Sequence, residues 1–313
     1  MSRAPGGPLG RDESGRIGPV TPDQTPPPAA GPQQSRTALV SFLGSIVRPL
    51  GNWLPIAGTI ELMGQFGLDA PSVRTAVFRL KKRGWLASET RSGSRGYALA
   101  PIALKALADG DEIIWHARQP ADLADGWCIV SFSVPESARS KRDQLRTHLA
   151  ALGFGNVGAA MWIAPARMRA AADQAIAELG LTAHCAIFVG DYVGGRDLPG
   201  LLRESWDLVE IDRRYREFSQ RFQGEAPKLD AIVVDRRRAF LSYLAIIDQW
   251  RKLPFRDPGL PREILPADWS APAAGALFEG LVAALEAPAL AHAAAHWPGT
   301  GKPTPPADNA PAS

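Results

Sequence analysis

Apolar residues recur at three- and four-residue steps in three successive segments of the first hundred positions. Leu39, Phe42, Leu43, Ile46 and Val47 mark a first helix, with Ser35 as its expected N-cap. Ile56, Ile60, Leu62 and Met63 mark a second, ended at Gly67 by the sharp turn that a helix-turn-helix needs. The third begins at an Asp69 cap, tolerates Pro71 in its first turn, and carries Val73, Ala76, Val77 and Leu80 on one inward face. Beyond Gly84 the period shortens: "WLASET" and "RGYALA" read as two strands joined by "RSGS".

Between Asp125 and Tyr192 the pattern alternates. "GWCIVSFSVP" is a strand, and a helix follows with Leu145, Leu149 and Leu152 inward. "NVGAAMWIAP" supplies one or two short strands, "ARMRAAADQAIAELG" a helix and "HCAIFVGDY" a last strand. The order βαββαβ predicts a ferredoxin-like sheet with its first and last strands adjacent, so Cys128 and Cys185 are expected as buried near neighbours. From Asp197 onward helices return, interrupted by the Pro-broken stretch "PFRDPGLPREILPADW".

The expected fold is therefore α+β and multidomain. A winged helix-turn-helix occupies 35–100, a linker helix 101–124, the ferredoxin-like domain 125–195 and a helical domain 196–296. The Pro/Gly-rich segments 1–34 and 297–313 bury too little apolar surface to offset their ordering entropy and are expected to be disordered.

Charge changes this picture. The chain is only mildly basic, with net charge +3 and pI near 9.0. Residues 35–100 nevertheless hold nine basic side chains against three acids, so the charge is concentrated there as a nucleic-acid footprint. "SVRTAVFRLKKRGWL" carries Arg74, Arg79, Lys81, Lys82 and Arg83 and no acid, although a solvated helix gains from mixing signs. Opposite the apolar face lie Thr75, Phe78 and Lys82, flanked by Arg74 and Arg79. A DNA major groove admits such a helix. Arg91, Ser92, Ser94 and Arg95 at the hairpin tip are placed to meet phosphates. The alternative is a module of the same shape used for protein contacts. Phe78 suits a thymine methyl, the first helix or a partner, and Trp85 suits the core.

Other chemistry finds little support. "GFGNVG" matches a dinucleotide fingerprint by letter, but a helix precedes it and a strand follows, the reverse of what phosphate binding needs. No nucleophile elbow, phosphate-loop lysine or zinc-protease motif occurs. His292 and His296 sit four apart, a metal-like spacing at the end of an Ala-rich helix with no nearby ligand in sequence. Two cysteines without metal spacing, no apolar run of membrane-spanning length and no signal core point to the cytoplasm, without a membrane role. Asp191 and Asp197, near the ferredoxin-like sheet, keep one enzymatic alternative open: a metal-dependent nuclease.

The chain resembles the phenylacetic-acid catabolon repressor family, PaaX. The resemblance runs through "SFLGSIVRPLGNWLPIAGTIELM", "SVRTAVFRLKKRGWL", "SRGYALAP", "LGFGNVGAAMWIAP" and "SWDL…YREFSQRF" to "WRKLPFRDPGLPREILPADW". It departs from the family in its Pro-rich N-terminal extension and in Asn52, where a second glycine is expected. The resemblance implies a central domain of the Cas2 type and a dimeric repressor of aromatic-acid degradation genes. It implies no catalysis and no cofactor, with release from operator DNA by phenylacetyl-CoA. Such an effector needs arginines for its phosphates and aromatic walls, which Arg213, Tyr215, Arg256 and Trp269 offer. The opposing expectation is that these arginines pair with Asp207, Glu210, Asp212 and Asp257.

Overall fold

The computed structural model describes residues 32–114, 119–195, 197–254 and 257–298. Of the tail expected over 1–34, residues 1–31 lie outside them, as do 299–313 and Arg256, while 32–34 are helical.

Helix α1 (Pro32–Phe42) starts upstream of the expected Ser35 cap and runs into a π-helical turn over Leu43–Val47. Strand β1 (Trp53–Pro55) leads into α2 (Ile56–Gln65), and α3 (Ala70–Lys82) follows a turn in which Gly67 takes φ +94°. Strands β2 (Leu86–Arg91) and β3 (Ser94–Leu99) form a hairpin, and β1 joins it as a third strand in the order β1-β3-β2. Ser92 and Gly93 both have positive φ, the two-residue turn that matches strand twist. Gly96 is required by close approach: a Cβ there would lie 2.6 Å from the Trp53 ring and 2.4 Å from the Leu54 carbonyl oxygen.

Helix α4 (Pro101–Ile114) leads to the central sheet, built from β4 (Trp127–Phe132), α5 (Arg139–Ala151), β5 (Gly155–Gly158), β6 (Met161–Pro165), α6 (Arg169–Glu178) and β7 (Cys185–Gly190). The strand order β5-β6-β4-β7, antiparallel throughout, is the expected split βαβ arrangement. Along β4 the side chains alternate. Cys128, Val130 and Phe132 face the core under α5 and α6, while Trp127 and Ile129 face the opposite layer.

The two cysteines are not neighbours. Cys128 pairs with Val189 and Cys185 with Phe132, four residues further along, roughly 13 Å at the usual strand rise. The first and last strands of the sheet do lie side by side, but antiparallel pairing puts the start of one against the end of the other. Burial pushes the Cys128 thiol up to about 11, and that of half-buried Cys185 upward too, so neither is a ready nucleophile.

The opposite layer comes from α7 (Leu198–Ser205), the start of α8 (Leu208–Phe222) and the Pro-broken loop, through Leu202, Trp206, Leu208, Leu260 and Ile264. This layer explains Gly155 of "GFGNVG". Trp206 Nε1 donates to the Gly153 carbonyl at 3.1 Å, and a Cβ on Gly155 would sit 2.6 Å from the Trp206 ring. The motif is a seat for an indole.

The described N-terminal module and the C-terminal helices share a core. Helices α9 (Leu229–Val234), α10 (Arg236–Trp250) and α11 (Ala271–Ala294) share one continuous core with α1, α3 and α8. Phe42 meets Phe240 edge-on at 6.5 Å, and Trp250 stacks on Phe278 at 4.5 Å. Trp297, expected in the tail, is buried: it lies 6.3 Å from Phe42, and its Nε1 donates to the Trp53 carbonyl at 2.9 Å. Helix α11 corrects a second expectation, being long and apolar enough by length and composition to cross a membrane. Much of that hydropathy is alanine, and its Phe278, Leu281, Leu285 and Ala289 stripe packs into this core.

Candidate nucleic-acid interface

Asp69 caps α3 by accepting from the Ser72 backbone N–H at 2.6 Å, a bond that holds its carboxyl below the ordinary carboxylate value. With the start fixed, the helical period decides the faces. Val73, Ala76, Val77 and Leu80 are all buried, while Arg74, Thr75, Phe78, Arg79 and Lys82 are exposed. Phe78 stands 65% exposed, which settles it on the outer surface rather than against α1. Half-buried Trp85 packs against the core.

The three acids of this module are each engaged elsewhere. Asp69 is the cap, Glu89 holds Arg91, and Glu61 faces His296. Arg48 is taken up by Asp111 at 2.6 Å, and the Lys81 ammonium lies 5.8 Å from the Tyr97 ring centre. Among the described residues, Arg74, Arg79, Lys82, Arg83 and Arg95 are left facing a groove or solvent. The groove between α3 and the hairpin, about 600 Å³, is bordered by Arg74, Phe78, Lys81, Arg95 and Tyr97. Arg91 also makes contacts within the module: besides Glu89 it donates to the Gly51 carbonyl at 3.1 Å and lies 5.5 Å from the Trp53 ring centre.

The expected effector residues are only partly brought together. Arg213 bridges Glu210 and Glu217, and Arg214 also bonds Glu210. These guanidinium bonds hold the Glu210 carboxyl down to about 2. The ion-pair expectation therefore fits Arg213, which does not line the cavity beside Tyr215. Tyr215 is buried, and its hydroxyl donates to Asp257 at 2.9 Å. Its ring lies 6.4 Å from Trp269. Both rings border a cavity of about 320 Å³ with Pro120, Leu260 and Arg262. Asp257 also accepts from the Gly259 N–H, and Arg167 donates to the carbonyls of Gln119 and Gly259. Sequence reasoning missed Arg167 because its acceptors are backbone atoms 48 and 92 positions away.

The histidine pair and Asp197 have places of their own in the fold. His292 and His296 serve the seam between α11 and α2. His292 Nε2 lies 2.8 Å from Gln65 Oε1, and His296 Nε2 lies 3.3 Å from Glu61. No cluster of three or more metal-ligating side chains occurs among the described residues. The Asp197 carboxylate caps α7 through the Gly200 N–H and pairs with Arg203, a structural use.

Burial, with help from His296 and Arg237, holds the His292 imidazole below its ordinary 6.5, against weaker pulls from Asp235 and Glu61. The unfolded chain then binds a proton that the folded chain refuses. Stability from this seam is full above about pH 6.5 and falls as pH drops from there toward the lowered folded value. Urea midpoints taken from pH 8 to pH 5 should decline through that window, and His292→Gln should flatten the decline.

Three family profiles match the chain in order: PaaX-like protein over 34–101, the PaaX protein central Cas2-like domain over 120–202, and the PaaX-like protein C-terminal domain over 206–295. The protein is thus of mixed α+β class with a Cas2-like central domain. The chain belongs to the PaaX family. It is 28% identical over 243 residues to the Transcriptional repressor PaaX of Escherichia coli K12, covering 75% of this chain and 76% of that protein. A solved structure of the uncharacterized protein Rv0674 from Mycobacterium tuberculosis shares the fold, with TM-score 0.54 at 20% identity, over 83% of this chain and 99% of that one.

Proposed function

We propose that this chain is a cytoplasmic, DNA-binding transcriptional repressor and not an enzyme. In this reading α1–α3 with β1–β3 form a winged helix-turn-helix, α3 enters the major groove, and the hairpin lies along the phosphates. The single observation that carries it is the exposed face of Arg74, Thr75, Arg79 and Lys82, whose module spends all three of its acids elsewhere. The repressor name of the Escherichia coli relative supports it.

The repressor acts as a homodimer, because one such helix covers too little DNA for repressor affinity and paired half-sites supply the rest. Its genes are those of aromatic-acid degradation, and an aromatic acyl-CoA such as phenylacetyl-CoA releases it. The cavity beside Tyr215 and Trp269 is the effector site, with Arg262 at its edge and Arg256 beside the same loop in sequence.

The deciding experiment is operator binding titrated with phenylacetyl-CoA and with free phenylacetate. Release by the thioester alone, lost in Trp269→Ala, is expected. Operator affinity indifferent to both compounds sinks the effector part and leaves DNA binding standing. Arg95→Ala should lower the salt slope of operator binding by about one unit and keep the sequence preference. A changed base preference contradicts its phosphate role.

A further inference from the structure

A second cavity, of about 170 Å³, lies between α1 with its π-helical turn, α4 and α10. It shares no lining residue with the Tyr215 cavity, from which Trp250 separates it: that indole borders the Tyr215 cavity and donates to the Ile114 carbonyl at 2.8 Å. Its apolar wall comes from Val40, Trp85, Ala106, Leu107, Ile114 and Ile247.

The polar groups on this wall are bonded to protein atoms, and the Arg251 guanidinium, also on the wall, reaches Ser41 Oγ at 3.5 Å. Ser41 Oγ donates to Asp248 Oδ1 at 2.9 Å, and Asp248 is paired with Lys252 at 2.7 Å. Ser45 Oγ donates to the Ser41 carbonyl at 2.8 Å, and Asp111 pairs with Arg48. A wall whose polar atoms are paired offers water few partners, so such a cavity favours an apolar occupant. An apolar protein cavity of about 150 Å³ takes up benzene, so the volume suits one aromatic ring.

A π-helical turn shapes the same wall: it closes α1, and Arg48 N–H donates five residues back to the Leu43 carbonyl at 3.0 Å. Turns of this kind are ordinary at helix C-termini. Here the turn holds Gly44 on the cavity wall, where even a Cβ would reach 3.4 Å from the Leu107 side chain. A regular helix with a larger residue would close the space.

We propose that this cavity is a binding site for one small neutral aromatic ring. Its walls include Trp85, whose N–H is bonded to Leu80 near the end of α3, so an occupant touches the anchor of the exposed basic helix. Binding itself does not depend on the repressor reading; an effect on operator affinity does.

Toluene is the probe, with the full chain in solution. Saturable heat in calorimetry and a rise in melting temperature of roughly 3 °C are expected. Ala106→Trp, at an exposed position on the cavity mouth, and Val40→Phe, on the opposite wall, should each weaken toluene binding at least tenfold. Val193→Ala, at an exposed position that lines neither cavity, should leave it unchanged. Circular dichroism identifies a variant that fails to fold, and the other then decides. No saturable binding by the wild type overturns the site, as does undiminished binding in the folded filling variants. Toluene bound with no change in operator affinity keeps the site and removes its link to DNA.

Discussion

Trp297→Ala should lower the unfolding free energy by about 3–5 kcal/mol, the usual cost of removing a large buried aromatic. The indole lies against Phe42, which is itself fully buried and edge-on to Phe240. Alanine would leave a cavity where the N-terminal module meets α10 and α11, and would strip the Trp53 carbonyl of its donor. Trp53 also carries β1 and seats Gly96, so the loss reaches the hairpin beside α3. Urea unfolding by circular dichroism measures the change. Trp297→Phe should recover part of it by filling the space without the hydrogen bond. An alanine variant within about 1 kcal/mol of wild type would mean that the two ends of the chain do not depend on each other, contrary to their shared core.

That same residue shows where sequence reading ran out. Pattern identified α3 well because its faces are set locally: an Asp69 cap fixes the start, and a 3.6-residue period does the rest. The central sheet was legible for a similar reason, since alternation and strand order determine its topology. Trp297 sits in "HWPGTGKP", whose composition resembles a tail, and nothing local reveals that a tryptophan 244 positions from Trp53 donates to it. The misplacement of Cys128 and Cys185 has a related origin. Topology predicts which strands adjoin, while register needs the pairing itself. The effector arginines fell between the two cases. Arg213 has acids three residues before and four after it, and helical spacing alone would have assigned it to them. The meeting of Tyr215, Trp269 and Asp257 depends on the Pro-broken loop folding back across α8, which no period encodes.

Replacing both Arg74 and Arg79 by alanine should weaken operator binding roughly 30-fold to 10⁴-fold. A bidentate arginine–base contact is worth about 1–3 kcal/mol, and every 1.4 kcal/mol is tenfold. The pair should add, because neither side chain is bonded to the other or to an acid among the described residues. The fold should be unaffected: both positions are exposed, and alanine is at least as good a helix former as arginine. An unchanged melting temperature beside a large loss of affinity separates a lost contact from a lost structure. The operator is obtained by selecting tight binders from random duplexes with the wild-type protein, and competition is measured at one fixed salt concentration. Base-reading arginines are expected to relax the preference at particular positions, whereas removal of Lys82 should weaken all sequences alike. If the double variant binds the selected duplex as tightly as the wild type, α3 is not the reading element. Its one-signed face then belongs to an acidic protein surface, where Phe78 at its centre would be the contact to remove next.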